Sequence, residues 1–380
     1  MGAIALGILI MILSVSTGNG LRKAIQNKVT GFGGDIQVLN YQPSPSYEQV
    51  PLVLSDSLQK ELLSWSEITH LQPYARKAGI IKNAKLFEGG IIKGVDENYR
   101  WDFFRQYLLE GRIPKFGGQS YQDSILMSAD LARKLDFQLG DECAMYFVRP
   151  NRPPLRRKFT IGAIFQTDFE EIDESFLIGD LKHVQRLSDW EDEEVGAYEV
   201  FLNPDTNADL VSAKLRAVLP FEYDALSARS LNVQLFQWLD LFDLNIVIIL
   251  VIIILVATVN ISIALLILIM ERTNMIGLLK ALGAADFSIQ KIFLLNAAYL
   301  ILQGLALGNI LALSLLITQD RFGWLKLDPK TYYVSEVSVD LNLWPILAVN
   351  LLTLIICLLS LLLPSFLISR ISPRKAIRFD

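Results

Sequence analysis

The sequence has few of the residues that metal sites and disulfide frameworks need. It contains two cysteines and two histidines, and Cys143 and Cys357 lie far apart in the chain. So few ligands make neither a zinc cluster nor a disulfide-stapled fold available. The formal net charge of -5 also excludes nucleic acid as a natural partner. We therefore expect no metal and no cofactor to be bound by this chain.

The sequence motifs of hydrolytic enzymes are missing as well. There is no GxxxxGK[ST] phosphate loop, no HExxH zinc motif and no nucleophile elbow. We therefore expect that the chain is not an enzyme. An ion-driven transporter is disfavoured, because its spans would be expected to keep ionisable groups in their interior. A partner that hydrolyses ATP is the better source of energy.

Long apolar runs are present at both ends of the chain, and hydrophobic residues make up 52% of it. Asn245 to Met270 carries no charge, and about 18 such residues suggest a membrane span. Further spans are predicted from about Ile289 to Leu316 and from Leu341 to Leu363. Met1 to Val15 is shorter, and we interpret it as the outer part of a first span that lacks its cytoplasmic lead-in. A cleaved signal peptide is the alternative.

Between the first two spans the pattern changes to alternating strands and helices, which is typical of an α+β domain. Apolar residues at helical spacing continue beyond Ser16 and return before Asn245, so two stalk helices are predicted to carry this domain. The predicted strands are Asp35–Leu39, Ser124–Met127, Glu142–Val148, Lys158–Phe165 and Tyr198–Leu202. The predicted helices are Ser55–Leu63, Ala129–Leu135 and Ala208–Val218.

A proline- and arginine-rich stretch, RPNRPPLRR, joins two of these predicted strands. Its three prolines should prevent ladder pairing, which predicts a basic hairpin loop. A solvated turn and a loop that docks a partner are equally consistent with this composition. The candidate docking residues are Arg149, Arg152, Pro153, Pro154, Arg156 and Arg157.

A short segment, ERTNMIGLLKALGA, follows the second span and is amphipathic. It predicts a helix that lies at the membrane surface and ends at Gly283, with Asp286 able to cap the next helix. Within the spans, Thr258, Asn260 and Ser262 are expected to form interhelical hydrogen bonds, and Gly304 and Gly308 have GxxxG spacing.

The basic tail residues Arg370, Arg374, Lys375 and Arg378 predict a cytoplasmic C-terminus by the positive-inside rule. Four spans then place the N-terminus in the cytoplasm and the α+β domain outside. The predicted organisation is a first span (1–15), stalks plus ectodomain (16–243), second span (244–270), inner amphipathic helix (271–286), third span (287–317), outer loop (318–340), fourth span (341–363) and cytoplasmic tail (364–380).

Several of these stretches resemble known families. The inner segment is similar to the signature of the FtsX-like permease superfamily, and the tail ISPRKAIR resembles that family's closing motif. In the ectodomain, four stretches resemble the MacB-like periplasmic core domain, which lipoprotein-releasing permeases of the LolC and LolE type share with MacB-type exporters. These stretches are IIKGVDENY (Ile91–Tyr99), LLEGRIP (Leu108–Pro114), SADLARKLDFQLGD (Ser128–Asp141) and KFTIGAIF (Lys158–Phe165).

The resemblance implies a permease subunit of a mechanotransmission ABC transporter in a bacterial inner membrane. Two permeases, either two copies or two paralogues, would bind two ATPase subunits that hold ATP and Mg. The implied activity is the release of lipoproteins to a periplasmic chaperone, which would dock on the basic loop. A MacB-like exporter, an antimicrobial-peptide resistance permease and an FtsX-like activator of a cell-wall hydrolase are the alternatives.

Two further sets of site residues complete the prediction. The residues expected to couple the permease to the ATPase are Glu271, Arg272, Ile276, Gly277, Lys280 and Gly283. An acyl chain could enter at the apolar outer ends of the first two spans, where ordinary lipid contact is the alternative interpretation. The residues of this acyl-chain access surface are Met11, Val15, Phe242, Ile246 and Ile249.

Overall fold

The computed structural model describes residues 2–41, 49–83, 86–117, 122–149 and 152–365. The helices are α1 (Gly2–Gly33), α2 (Asp56–Leu63), α3 (Asp102–Gln106), α4 (Ala129–Leu135), α5 (Glu170–Asp173), α6 (Leu181–Leu187), α7 (Ala208–Val218), α8 (Ala228–Leu231), α9 (Val233–Glu271), α10 (Thr273–Ala281), α11 (Asp286–Phe322), α12 (Pro329–Tyr332), α13 (Leu343–Ser360) and α14 (Leu362–Ser365). The strands are β1 (Ile36–Asn40), β2 (Ile68–Asn83), β3 (Leu86–Val95), β4 (Leu108–Gly111), β5 (Ser124–Ser128), β6 (Glu142–Arg149), β7 (Arg152–Phe165), β8 (Phe176–Asp180), β9 (Ala197–Leu202) and β10 (Tyr223–Ser227).

The chain forms two compact units. The helical unit consists of Met1–Lys23, Gln237–Lys326 and Glu336–Asp380. The β-domain consists of Ala24–Phe236 and Leu327–Ser335. Helices α1 and α9 therefore contribute residues to both units.

Side-chain caps determine where several helices of the β-domain begin. Ser128 Oγ accepts a hydrogen bond from Leu131 N at 3.1 Å, which starts α4, and Asn207 Oδ1 accepts one from Asp209 N at 3.0 Å, which starts α7. Both helices have the bounds that the sequence predicts. Ser55, predicted as a helical residue, is the N-cap of α2.

The strands of the β-domain form one mixed sheet with the order β10-β1-β9-β2-β3-β8-β5-β7-β4, and β6 pairs with both β2 and β7. Two pairs, β3 with β8 and β5 with β7, are parallel. The strands β2, β3, β8, β5, β7 and β6 each pair with the next in this order. Because β6 also pairs with β2, these six strands close into a ring. A closed ring has no free strand edges on which another chain could add. The predicted α+β class is correct, and the β-sheet dominates it.

Apolar side chains on the inner face fill the ring. Ile81 pairs with Met145 and Ile92 with Leu177, and all four side chains are fully buried. Cys143 belongs to the same core, and burial raises its pKa to about 12. Cys143 is therefore a packing residue and not a reactive thiol.

The segment Leu327–Ser335, predicted as part of an outer loop, packs against the β-domain. Lys28 Nζ donates a hydrogen bond to the Tyr333 carbonyl at 2.9 Å, and the rings of Tyr333 and Phe169 lie 5.1 Å apart. Lys28 is only 5% exposed. We call this segment the docked loop. The predicted outer loop begins later in the chain than expected, because α11 continues to Phe322.

Among the described residues, four helices are long and apolar enough to cross a membrane, namely α1, α9, α11 and α13. The four predicted spans are confirmed on these criteria. The most apolar stretch of α1 is 56% buried in the protein and that of α9 only 11%. Gly308 of α11 lets α1 approach, because a Cβ there would lie 2.6 Å from the Ala5 carbonyl oxygen.

Hydrogen bonds between spans occur where the sequence did not predict them. Ser262 Oγ donates to the Thr258 carbonyl of its own helix at 2.9 Å, and Thr258 Oγ1 is buried without a partner. The expected interhelical bonds of these two residues are therefore wrong. Instead, Asn309 of α11 and Asn350 of α13 exchange side-chain hydrogen bonds of 2.7 and 3.0 Å.

Candidate functional site

Helix α10 is the amphipathic segment that the sequence placed between the second and third spans. It ends where predicted, because Gly283 adopts a φ of +89° that disfavours other residues. The amides of Gly283 and Ala284 donate to the carbonyls of Lys280 and Leu279, both at 3.0 Å, which caps the last turn.

The inner face of α10 holds the helix against the helical unit. Ile276 and Gly277 are buried. Lys280 Nζ forms an ion pair with Asp286 Oδ1 at 2.8 Å, and the lysine side chain is only 9% exposed. Asp286 is the first residue of α11, and the N-cap is Ala285, so the predicted capping role of Asp286 is wrong. The aspartate ties α10 to α11 instead.

The outer face of α10 is apolar and exposed. Met275, Leu278 and Leu282 are 41%, 57% and 77% exposed and follow the i, i+3, i+7 spacing of one helix face. Of the predicted coupling residues, Glu271, Arg272 and Gly283 are exposed as well. The other predicted coupling residues, Ile276, Gly277 and Lys280, lie on the inner face. The helical spacing of Met275, Leu278 and Leu282 was the signal that could have identified the outer one.

The basic stretch 149–157 is not a loop along its described length. Residues from Arg152 onward belong to β7, and Leu155, Arg156 and Arg157 pair with Phe147, Tyr146 and Met145 of β6. The predicted hairpin loop is therefore wrong for these residues, which are paired with β6. The register shifts between Phe147 and Arg149, so Pro153 and Pro154 fall in a bulge where no ladder donor is required. Pro150 and Asn151 lie outside the described residues.

The arginines of this stretch divide between the two faces of β7, because neighbouring strand residues alternate. Arg156 is exposed, and its guanidinium carbon lies 6.0 Å from the centre of the Tyr146 ring. Arg157 is half-buried opposite the fully buried Met145. Pro153 and Pro154 are exposed, and Arg149 donates to the Pro153 carbonyl at 3.4 Å. These residues therefore do not form one compact basic tip.

The predicted acyl-chain access surface is only partly exposed. Met11 is fully buried in the core of the helical unit, so its assignment to a lipid-facing surface is wrong. The reason is that α1 is enclosed by its neighbours, unlike α9. Phe242 and Ile246 are half-buried beside Gly18, where an added Cβ would collide with Ile246. Val15 is half-buried, and Ile249 is exposed.

An unpredicted ionic cluster lies in the β-domain at the C-terminal end of α1. Lys93 Nζ contacts Glu199 Oε1 at 2.6 Å, and both side chains are fully buried. Lys93 also donates to the Phe32 carbonyl in the last turn of α1, whose free carbonyls attract a cation. Burial lowers the pKa of Lys93 to about 8, although Glu199 opposes the shift. Removing one partner of such a pair is strongly destabilising.

Among the described residues there is no group of three or more His, Cys, Asp or Glu side chains that could hold a metal ion. His183 is buried and contacts Asp123 and the Gln122 carbonyl, both at 3.1 Å. His70 contacts the Asn98 carbonyl at 2.9 Å. Both histidines thus have structural partners.

Two family models match the chain. The MacB-like periplasmic core domain matches residues 1–218, and the FtsX-like permease C-terminal region matches residues 247–373.

Three curated relatives align over almost the whole chain. The lipoprotein-releasing system transmembrane protein LolC of Xylella fastidiosa (strain 9a5c) is 20% identical, over 99% of this chain and 92% of its own length. The LolE protein of Haemophilus influenzae is 21% identical, over 98% and 92%. The LolC protein of Neisseria meningitidis serogroup B is 22% identical, over 99% and 92%.

Two solved structures are also similar. The periplasmic region of MacB from Actinobacillus actinomycetemcomitans has a TM-score of 0.37 at 15% identity and covers 56% of this chain and 97% of that one. The extracellular domain of the noncanonic ABC-type transporter YknZ from Gram-positive bacteria has a TM-score of 0.34 at 13% identity and covers 50% and 99%.

Proposed function

Because this chain belongs to the family of proteins with a MacB-like periplasmic core domain, followed by an FtsX-like permease region, we propose that it releases lipoproteins from a bacterial inner membrane. It would do so as a permease subunit of a mechanotransmission ABC transporter that delivers its cargo to a periplasmic chaperone. The observation that carries this proposal is the similarity to LolC and LolE proteins over almost the full length of the chain.

ATP and Mg would be bound by a separate ATPase subunit, since this chain has no phosphate-binding loop. The outer face of α10, with Met275, Leu278 and Leu282, supplies an apolar strip of the kind that fills a groove on a partner protein. Its inner face is tied to α11 by the ion pair of Lys280 and Asp286. A displacement of α10 by the ATPase would therefore pull on the third span.

The proposed orientation puts α10 and both termini in the cytoplasm and the β-domain in the periplasm, inserted between the first and second spans. The charged tail that supports it, with Arg370 to Arg378, lies outside the described residues. Ion pairs of Arg22 with Asp240 and Asp243 join α1 and α9, and Lys23 contacts Asp340 at 2.8 Å. Such charges suit an aqueous boundary better than a bilayer interior.

A second permease, either another copy or a paralogue, would complete the transporter. Helix α9 leaves most of its apolar surface uncovered, with Ile249, Ile252 and Leu255 exposed. This surface suits contact with lipid, with an acyl chain of the cargo or with the second permease. Arg156 and the exposed prolines of β7 remain the proposed contact for an acidic chaperone surface.

Affinity purification of the full chain from its native membrane tests the proposal. We expect an ABC ATPase together with a lipoprotein and its periplasmic chaperone. Arg156→Glu should keep the ATPase but recover less chaperone, because it reverses an exposed charge and leaves α10 untouched. Recovery of an exporter adaptor or a cell-wall hydrolase, in place of lipoprotein and chaperone, would contradict lipoprotein release and support an alternative in the same family.

A further inference from the structure

A cavity of about 230 Å³, open to solvent on one side, lies in the β-domain where the last turn of α1, the short helices α5 and α8, and strand β2 meet. We call it the Arg76 cavity. Its walls are largely apolar and include Val29, Phe169, Phe176 and Leu231. Its volume is far larger than the space that a single water molecule needs. It is large enough for a small organic molecule.

Arg76 of β2 lines this cavity, and the protein satisfies its guanidinium only in part. One terminal nitrogen of its guanidinium donates to the Tyr74 hydroxyl at 3.2 Å. Its Nε is buried and has no hydrogen-bond partner, and none of the described carboxylates forms an ion pair with it. A guanidinium carries five N–H donors in a planar fork that fits a carboxylate.

Aromatic rings hold the guanidinium in position. Its central carbon lies 4.9 Å from the centre of the Tyr74 ring and 5.6 Å from that of Phe176. Tyr74 is itself fixed, because it is fully buried and donates to Gln37 Oε1 at 2.7 Å. The fork is therefore preorganised, which lowers the entropy cost of binding an anion.

The charge balance next to the cavity also favours an anion. Glu199 is the buried carboxylate of the region, and it is occupied by Lys93 at 2.6 Å and by Gln72 at 2.7 Å. Arg76 and Lys93 repel each other, since the charge of Arg76 adds to the effect of burial in lowering the pKa of Lys93. Glu171, the carboxylate at the rim of the cavity, is exposed to solvent. Arg76 thus has no carboxylate partner among the described residues.

We propose that the Arg76 cavity binds a small amphipathic carboxylate, with its acid group on the Arg76 fork and its apolar part against Val29 and Phe169. The guanidinium without a carboxylate partner matches an acid group, and the apolar walls match a short hydrocarbon group. Bound there, the ligand bridges the end of α1 and α8, which precedes α9. The site does not depend on which cargo the transporter carries.

The test uses the full chain in nanodiscs of neutral lipid, titrated with hexanoate and followed by ligand-observed NMR. We expect saturable binding that weakens about tenfold or more in Arg76→Gln, which loses the charge and the fork. Hexanol, with the same chain length and no charge, should bind at least about tenfold more weakly than hexanoate. Hydrogen exchange of the ring strands verifies that each variant is folded.

A second variant keeps the test decisive if Arg76→Gln does not fold. Leu231→Trp leaves Arg76 in place and fills the cavity, so it should also abolish hexanoate binding. Competition by hexadecanoate from the bilayer would point to a lipid-derived acid, and its absence to a water-soluble one; both outcomes support the site. Undiminished hexanoate binding in either folded variant, or inorganic phosphate binding as tightly as hexanoate, would overturn the proposal.

Discussion

Asp173, the last residue of α5, has a buried carboxyl group. Both of its carboxylate oxygens accept a hydrogen bond from Thr167 N at 3.0 Å, and Thr167 Oγ1 donates to Oδ1 at 2.8 Å. Burial nevertheless raises the pKa of Asp173 to about 6, the Thr167 bonds oppose the shift, and Asp130 adds to it. The desolvation of the charged form therefore outweighs its hydrogen bonds.

This shift predicts a specific dependence of stability on pH. Between about pH 4 and 6 the folded chain retains a proton that the unfolded chain has lost, so the contribution of Asp173 to stability falls as the pH rises. At about 1.4 kcal/mol per pKa unit, the loss is at most roughly 3 kcal/mol. Asp173→Asn should remove this component while still accepting bonds from Thr167.

The measurement is the unfolding free energy of the β-domain in the full chain, from native-state hydrogen exchange at several pH values. The difference between Asp173→Asn and the parent should grow from pH 4 to pH 6 and then level off. Glu170→Gln, a half-buried neighbour at the start of α5, is the control. A pH-independent difference for Asp173→Asn would contradict the assigned cause.

At the scale of elements, the buried Lys28 helps to hold the docked loop Leu327–Ser335 on the β-domain. Lys28→Met removes the donor to the Tyr333 carbonyl, and a hydrogen bond to a charged group is worth about 1.5–3 kcal/mol. We expect the amides of Tyr332 and Tyr333, which donate to Asp328 and Pro329, to exchange about tenfold faster or more.

Lys330→Met provides the matched control for this prediction. Lys330 contacts Glu170 at 3.9 Å with a side chain that is 73% exposed, and such surface pairs contribute little. In Lys330→Met, the amides of the docked loop should exchange as fast as in the parent. If Lys28→Met and Lys330→Met had equal effects on the docked loop, the buried contact would not be what holds it.

Much of the element order was predictable, because it depends on local signals. Caps at Ser128 and Asn207 fix the starts of α4 and α7, and the positive φ at Gly283 ends α10. The pairing of strands was not predictable. Long-range contacts decide that β6 bridges β2 and β7, and a bulge permits Pro153 and Pro154 within β7.

The candidate site divides in the same way. The motif match identified α10 correctly. It could not show which face of the helix is buried, because that depends on tertiary packing. Lys280 reads as an exposed charge in the sequence, yet its ion pair with Asp286 turns it inward. Met11 was misassigned for the same reason, since nothing in an apolar run reveals which helix is enclosed.

At the scale of the whole molecule, four spans and a β-domain are linked by α1 and α9, each a single helix with residues in both units. In the proposed function, a transporter that conveys force would need stiff connections, a role that unbroken helices would suit. The proposed function then depends on whether α10 receives force from an ATPase. Leu278 is the central residue of its outer face, between Met275 and Leu282.

The most direct test compares Leu278→Asp with Phe322→Asp in the chain co-expressed with its ABC ATPase. Both replace an exposed apolar residue of the helical unit, 57% and 76% exposed, by a charge. Leu278 precedes α11 and Phe322 is its last residue, and this helix of 37 residues, at about 1.5 Å per residue, is long enough to span a bilayer. A carboxylate in an apolar groove is strongly disfavoured.

The quantity measured is the amount of ATPase that co-purifies with the chain in nanodiscs, together with its rate of ATP hydrolysis. We expect Leu278→Asp to insert normally but to retain at most about a tenth as much ATPase as the parent. Phe322→Asp should retain as much ATPase as the parent. Equal ATPase retention by Leu278→Asp and the parent would contradict the claim that α10 couples this permease to its energy source.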